Sequence, residues 1–111
     1  MTEITSHDLE KENEPMRFLD GSMRWRVELS TMYIGKGTYQ PGWRWSLHAR
    51  PLANKPSESH IGLVESGRFV IKGSDGIEVT IGAGEVFEVT PDYDAWVLGD
   101  EPCIALDFEP K

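Results

Sequence analysis

With a single cysteine, Cys103, in 111 residues, the chain can form neither an intrachain disulfide nor a cysteine-only zinc cage. No apolar run approaches the roughly 18 residues that a membrane span needs. The N-terminal MTEITSHDLEKENEP is acidic, where a secretory signal would be basic and then apolar. Positive charge is scarce: 11 Lys and Arg against 19 Asp and Glu leave a formal net charge of −8. Such a surface repels polyphosphate and excludes general binding to nucleic acid or to an anionic membrane. No serine sits in a nucleophile-elbow context, and the glycines form no phosphate-cradling loop. Together these absences predict a cytoplasmic chain without nucleic-acid or membrane partners.

The length suits one domain, and a chain of this size can bury roughly two-thirds of its extended surface, enough for one core without staples. Charge is uneven along it. Residues 1–14 hold five acids and one base with few large apolar groups, and are expected to be a flexible acidic tail. Residues 15–72 carry nine bases and four acids; residues 73–111 carry one base and ten acids.

Beyond the tail the dominant period is two. Met23, Trp25, Val27 and Leu29 alternate with Arg24, Arg26, Glu28 and Ser30. Ile77, Val79 and Ile81 alternate with Glu78 and Thr80; Ile104, Leu106 and Phe108 with Ala105 and Asp107. Each pattern predicts a half-buried strand. Turn signals separate them at Gly35–Lys36–Gly37, Pro41–Gly42, Ser74–Asp75–Gly76, Gly82–Ala83–Gly84 and Gly99–Asp100–Glu101–Pro102. The Asp75–Gly76 pair between RFVIK and IEVTI predicts a hairpin, since such turns need positive φ. Seven to nine short strands with no helix after residue 15 predict an all-β sandwich or small barrel.

Two blocks then resemble the cupin superfamily of double-stranded β-helix (jelly-roll) barrels, within 15–111. In the first, Gly42 is followed after five residues by His48, Ala49 and Arg50, and His60 after six residues by Gly67. In the second, GEVFEVTPDYDAW places Thr90, Asp92 and Ala95 where the family has Pro, Gly and His, ahead of a GDEPCIALDF ending. The segments WRWSLH, GLVESGR and DAWVLGDEP are similar to a bacterial subgroup of short single-domain cupins. The resemblance implies a jelly-roll barrel and pairing into a homodimer.

Carried across by position, the family's metal shell of three histidines and a glutamate falls on His48, Arg50, His60 and Ala95. Only the two imidazoles there can ligate; a guanidinium has no lone pair to give. The resemblance therefore implies a degenerate metal site. A pocket lined by His48, Arg50, His60 and Tyr93 would bind a small polar or anionic ligand, its cation favouring negative charge. Two alternatives stand beside it. A divalent metal on a relocated set, His48, Glu58, His60 and Tyr93, would support dioxygenase- or isomerase-like chemistry. Metal-free acid–base catalysis would use His48 or His60 with Tyr93.

Trp43 and Trp45 pose a conflict of parity. If His48 and Arg50 face inward on a strand, alternation sends both indoles outward, where they would form the subunit contact. A bulge would instead turn the indoles in and displace the histidines. Cys103, with no neighbouring base, is expected to be structural.

Overall fold

The computed structural model describes residues 2–111. Nine strands form two antiparallel sheets, as the period-two patterns predict. The strands are β1 (Met16–Arg17), β2 (Met23–Glu28), β3 (Met32–Tyr39), β4 (His60–Ser66), β5 (Arg68–Lys72), β6 (Glu78–Gly82), β7 (Val86–Val89), β8 (Asp94–Val97) and β9 (Cys103–Pro110). One sheet has the order β1-β2-β3-β9-β4-β7 and the other β6-β5-β8. The sheets face each other but are not joined into the closed barrel that the jelly-roll expectation implied. An isolated backbone bridge, Arg44 to Trp96, links the segment after β3 to the smaller sheet.

The Asp75–Gly76 hairpin forms as expected between β5 and β6. Gly76 takes φ +86° and donates to Gly73 O at 3.0 Å, while Asp75 Oδ1 accepts from Ile77 N. Only Ile81 of the alternating trio is buried, however; Val79 on the edge strand β6 and Ile77 just before it are exposed.

Three expectations are corrected. First, Gly35–Lys36–Gly37 is no turn. It lies within β3, in unbroken register with β2 and β9. Its glycines are there for space: a Cβ at Gly35 would strike the Asp107 carboxylate and the Arg24 guanidinium, and one at Gly37 would strike the Tyr39 ring. Second, β9 presents the opposite face. Cys103 and Ala105 join the core and Asp107 is buried beside them, while Ile104, Leu106 and Phe108 lie half-buried on the other side. Third, a helical segment does follow residue 15. A π-helical turn, Trp45–Ala49, runs into a four-residue helix α1 (Arg50–Ala53) with Pro51 in its first turn. Asn54, in the left-handed region at φ 55°, ends it and donates to Arg50 O.

The core sits between the sheets. Phe18, Tyr39, Trp43 and Phe69 form an aromatic cluster, with Tyr39 and Trp43 ring centroids 4.5 Å apart and Tyr39 and Phe69 5.2 Å apart. Val64 and Cys103 are fully buried beside it. Burial pushes the Cys103 thiol up to about 12, so it stays protonated, in keeping with a structural role. Residues 2–14 form no strand. Asp8 caps a turn there, and the segment touches the large sheet through Asn13 Nδ2 donating to Arg26 O (3.1 Å) and Glu10 near Lys36 (3.7 Å). No helix among the described residues is long and apolar enough to cross a membrane.

Candidate functional site

A cavity of about 860 Å³ opens between the sheets. Aromatic side chains line part of it, Phe18, Trp43, Trp45, Phe69 and Phe87 among them. Polar groups converge on it from four strands and a loop: Arg24 (β2), Tyr39 (β3), His60 (β4), Asp107 (β9) and Tyr93 before β8.

Arg24 and Asp107 form a side-on bidentate pair. Arg24 Nε donates to Asp107 Oδ2 at 2.9 Å and Nη2 to Oδ1 at 2.6 Å. The Asp107 side chain is 6% and the Arg24 side chain 23% exposed, so neither charge could stand there alone. Burial would lower the Arg24 pKa, but the hydrogen bonds and charge of Asp107 outweigh it and hold the group above the usual guanidinium range. Those two bonds occupy one edge of the guanidinium. Its outer edge has no protein partner among the described residues.

His60 begins β4 opposite Val89 and stacks on Phe87, centroids 5.7 Å apart and planes 18° from parallel. Gly62 permits this packing, since a Cβ there would meet the Phe87 ring. Burial disfavours the imidazolium and lowers the His60 pKa, with Arg24 adding to the effect and Asp107 opposing it. The ring is therefore neutral at pH 7, one nitrogen a donor and one an acceptor. Tyr93 is held by its backbone. Ser57, buried in the loop before β4, donates from Oγ to Tyr93 O and accepts from Tyr93 N, both at 2.8 Å. Burial raises the Tyr93 phenol to about 12, and Tyr39 is raised further by the same cause. Both phenols thus remain protonated donors.

The structure brings together His60, Tyr93 and, at the exposed mouth, Glu58, which pairs with Lys55 at 2.8 Å. It leaves His48 and Arg50 outside the cavity lining. The physical reason is the helical segment, which replaces the strand that would have aimed both inward. His48 Nδ1 accepts from Arg44 N at 2.9 Å and so ties off the start of its own π-turn. Arg50 is exposed on α1. Asp94 accepts from Ser46 N and Oγ and lies 3.3 Å from Arg44 Nε. Arg44 in turn stacks over Trp96 at 4.2 Å. The same segment settles the indoles. Trp43 is 4% exposed in the core and Trp45 packs against it, 6.4 Å from the Tyr93 ring, so of the two alternatives the indoles take the inward one, with a helical turn rather than a bulge displacing the histidines.

A metal ion of the kind the fold family implies does not fit these residues. Among the described residues no three His, Cys, Asp or Glu side chains converge as a metal site would require. His60 is the sole imidazole lining the cavity, Ala95 has no donor, and the set His48, Glu58, His60 and Tyr93 is not assembled.

Arg24, Asp107, Tyr39 and Trp43 escaped the reading of the sequence. A signal existed for Asp107, a lone acid in the otherwise apolar IALDF, and for its partner in the glycines of GKGTY.

No protein-family model and no curated protein matches the chain. Solved structures do. KdgF from Halomonas sp. is 16% identical with TM-score 0.69, over 97% of this chain and 96% of that one. An RmlC-like cupin from Shewanella frigidimarina is 17% identical with TM-score 0.67, over 99% and 94%. A sugar phosphate isomerase of the cupin superfamily from Silicibacter pomeroyi is 17% identical with TM-score 0.70, over 96% and 76%. Two facing antiparallel sheets, matched over nearly the full chain by such structures, identify this as a small all-β protein of cupin fold.

Proposed function

We propose that the chain binds a small polar molecule in the cavity between its sheets, through Arg24, His60, Tyr93 and Tyr39, and that it does so without a metal ion. One observation carries this reading. The His60 ring, both phenols and Arg24 line one cavity, and the Trp43 indole Nε1 in the same lining is buried without a hydrogen-bond partner among the described residues. Buried polar groups are ordinarily satisfied, and this one is not. Aromatic walls with a few convergent polar groups are what small-molecule sites present.

The test is a thermal-shift and NMR screen of the intact chain with sugars, polyols, nucleosides and small carboxylates. A binding compound raises Tm and moves the His60 ring signals, and His60→Leu with Tyr93→Phe abolishes the rise in Tm. Failure of every class to shift either signal overturns the reading. A second reading, metal-free proton transfer, is favoured by the coexistence of a neutral imidazole and a protonated phenol in one cavity. It expects ligand turnover to vanish in both His60→Gln and Tyr93→Phe while binding persists.

A further inference from the structure

Two cations line the cavity, Arg24 and Lys55, against four carboxylates, Glu58, Glu88, Asp107 and Glu109. Both cations are already engaged, Arg24 with Asp107 at 2.6 Å and Lys55 with Glu58 at 2.8 Å. Arg50, the cation expected from the sequence to favour an anion, is outside. An entering carboxylate or phosphate would meet no uncompensated positive charge, and it would pass Glu88 and Glu109 at the exposed rim. Its desolvation would go unreturned.

An uncharged hydroxylated molecule meets the reverse. The outer edge of Arg24 and the Tyr39 and Tyr93 hydroxyls donate to its oxygens, and the neutral His60 ring supplies an acceptor and a donor. Trp45 and Phe87 in the lining offer apolar surface to its C–H groups. Building on the binding reading above, we infer that the cavity selects an uncharged polyhydroxylated ligand, a sugar or cyclic polyol, and discriminates against carboxylates and phosphates, with Asp107 setting that selectivity by neutralising Arg24. Gly35 belongs to the same device, since any side chain there would split the pair.

The experiment titrates the isotopically labelled full chain with glucose, galactose and myo-inositol, and in parallel with glucuronate, galacturonate and glucose 6-phosphate, at low and high salt. The His60 ring signals report binding. At least one neutral probe is expected to bind at least tenfold more tightly than its charged counterpart. Asp107→Asn leaves Arg24 a free cation and is expected to reverse that ranking, a change that a merely structural role for Asp107 would not produce. Should Asp107→Asn fail to fold, the rim variant Glu88→Gln with Glu109→Gln carries the test by narrowing the discrimination, most clearly at low salt. A uronate or sugar phosphate that binds the unaltered chain as tightly as the neutral sugar overturns the inference and leaves the binding reading standing. Silence from all six probes, alongside a response to another class in the wider screen, also overturns it; silence from every class overturns both.

Discussion

The wall made by β2, β3 and β9 and the segment from Arg44 to Asn54 use the same side-chain types to opposite ends. On the wall, an arginine and an aspartate from strands 83 residues apart in sequence meet in the interior and point at the cavity. In the segment, an arginine and a histidine four residues apart meet through backbone and ring, and hold their own turn rather than face the cavity. The difference lies in the period of the backbone. A strand projects alternate residues onto one face, so Arg24 and Asp107 are delivered inward with their neighbours turned away. A helical turn distributes residues around an axis, and His48 and Arg50 leave the face that a strand would have given them. Chemistry-bearing residues therefore become a site only where the local period aims them at shared space.

The sharpest way to break this comparison is to strip the wall of one charge. Asp107→Ala leaves Arg24 buried and unpaired, and is expected to cost about 3–5 kcal/mol in chemical denaturation. Restoring stability with Arg24→Met in the same chain would confirm the pairing. Gly35→Ala is the next largest effect, about 1–3 kcal/mol, because the added methyl displaces the ion pair. A lowered tyrosine or histidine response to ligand should accompany it.

Acid probes the wall more gently. His60 has a folded pKa below its unfolded value near 6.5. The unfolded chain therefore takes up a proton first as pH falls. Stability from neutral His60 is full above about 6.5 and is lost as pH drops from there through the folded pKa, by at most about 1.4 kcal/mol per pH unit. His60→Gln should flatten that slope in urea titrations between pH 7 and 5. On the segment, His48→Ala removes the acceptor for Arg44 N and is expected to cost about 1 kcal/mol, with ligand response unchanged. Arg50→Ala should fall within about 0.5 kcal/mol and leave binding untouched. An Arg50 variant that abolished binding would collapse the distinction between the two regions.

Much of the architecture was readable from alternation and turn chemistry. The β5–β6 hairpin followed from Asp75–Gly76, and the two-sheet class from the spacing of short strands. Alternation, however, reports that a strand has two faces without saying which is inward. Ile104, Leu106 and Phe108 looked like the buried set, yet the small Ala105 and the charged Asp107 face the core, because a cavity rather than a packed interior lies opposite them. Gly35 and Gly37 read as a turn for a related reason. Glycine signals either a bend or a close approach, and only the partner strand, remote in sequence, decides between them. Of the residues lining the candidate cavity, His60 and Tyr93 were singled out in the sequence through the family blocks. Arg24 and Asp107 were missed because their meaning is a long-range pairing across β3, which the lone acid of IALDF and the glycines of GKGTY signal only once those strands are known to be neighbours.

The buried thiol in β9 makes the chain its own reporter of breathing motions. Cys103 is the lone sulfhydryl, sealed from solvent and held protonated by its surroundings. A disulfide-exchange dye can reach it only when β9 parts from its neighbours. Modification kinetics in native buffer would therefore count openings of the central strand directly, and a ligand seated above Asp107 would slow the clock.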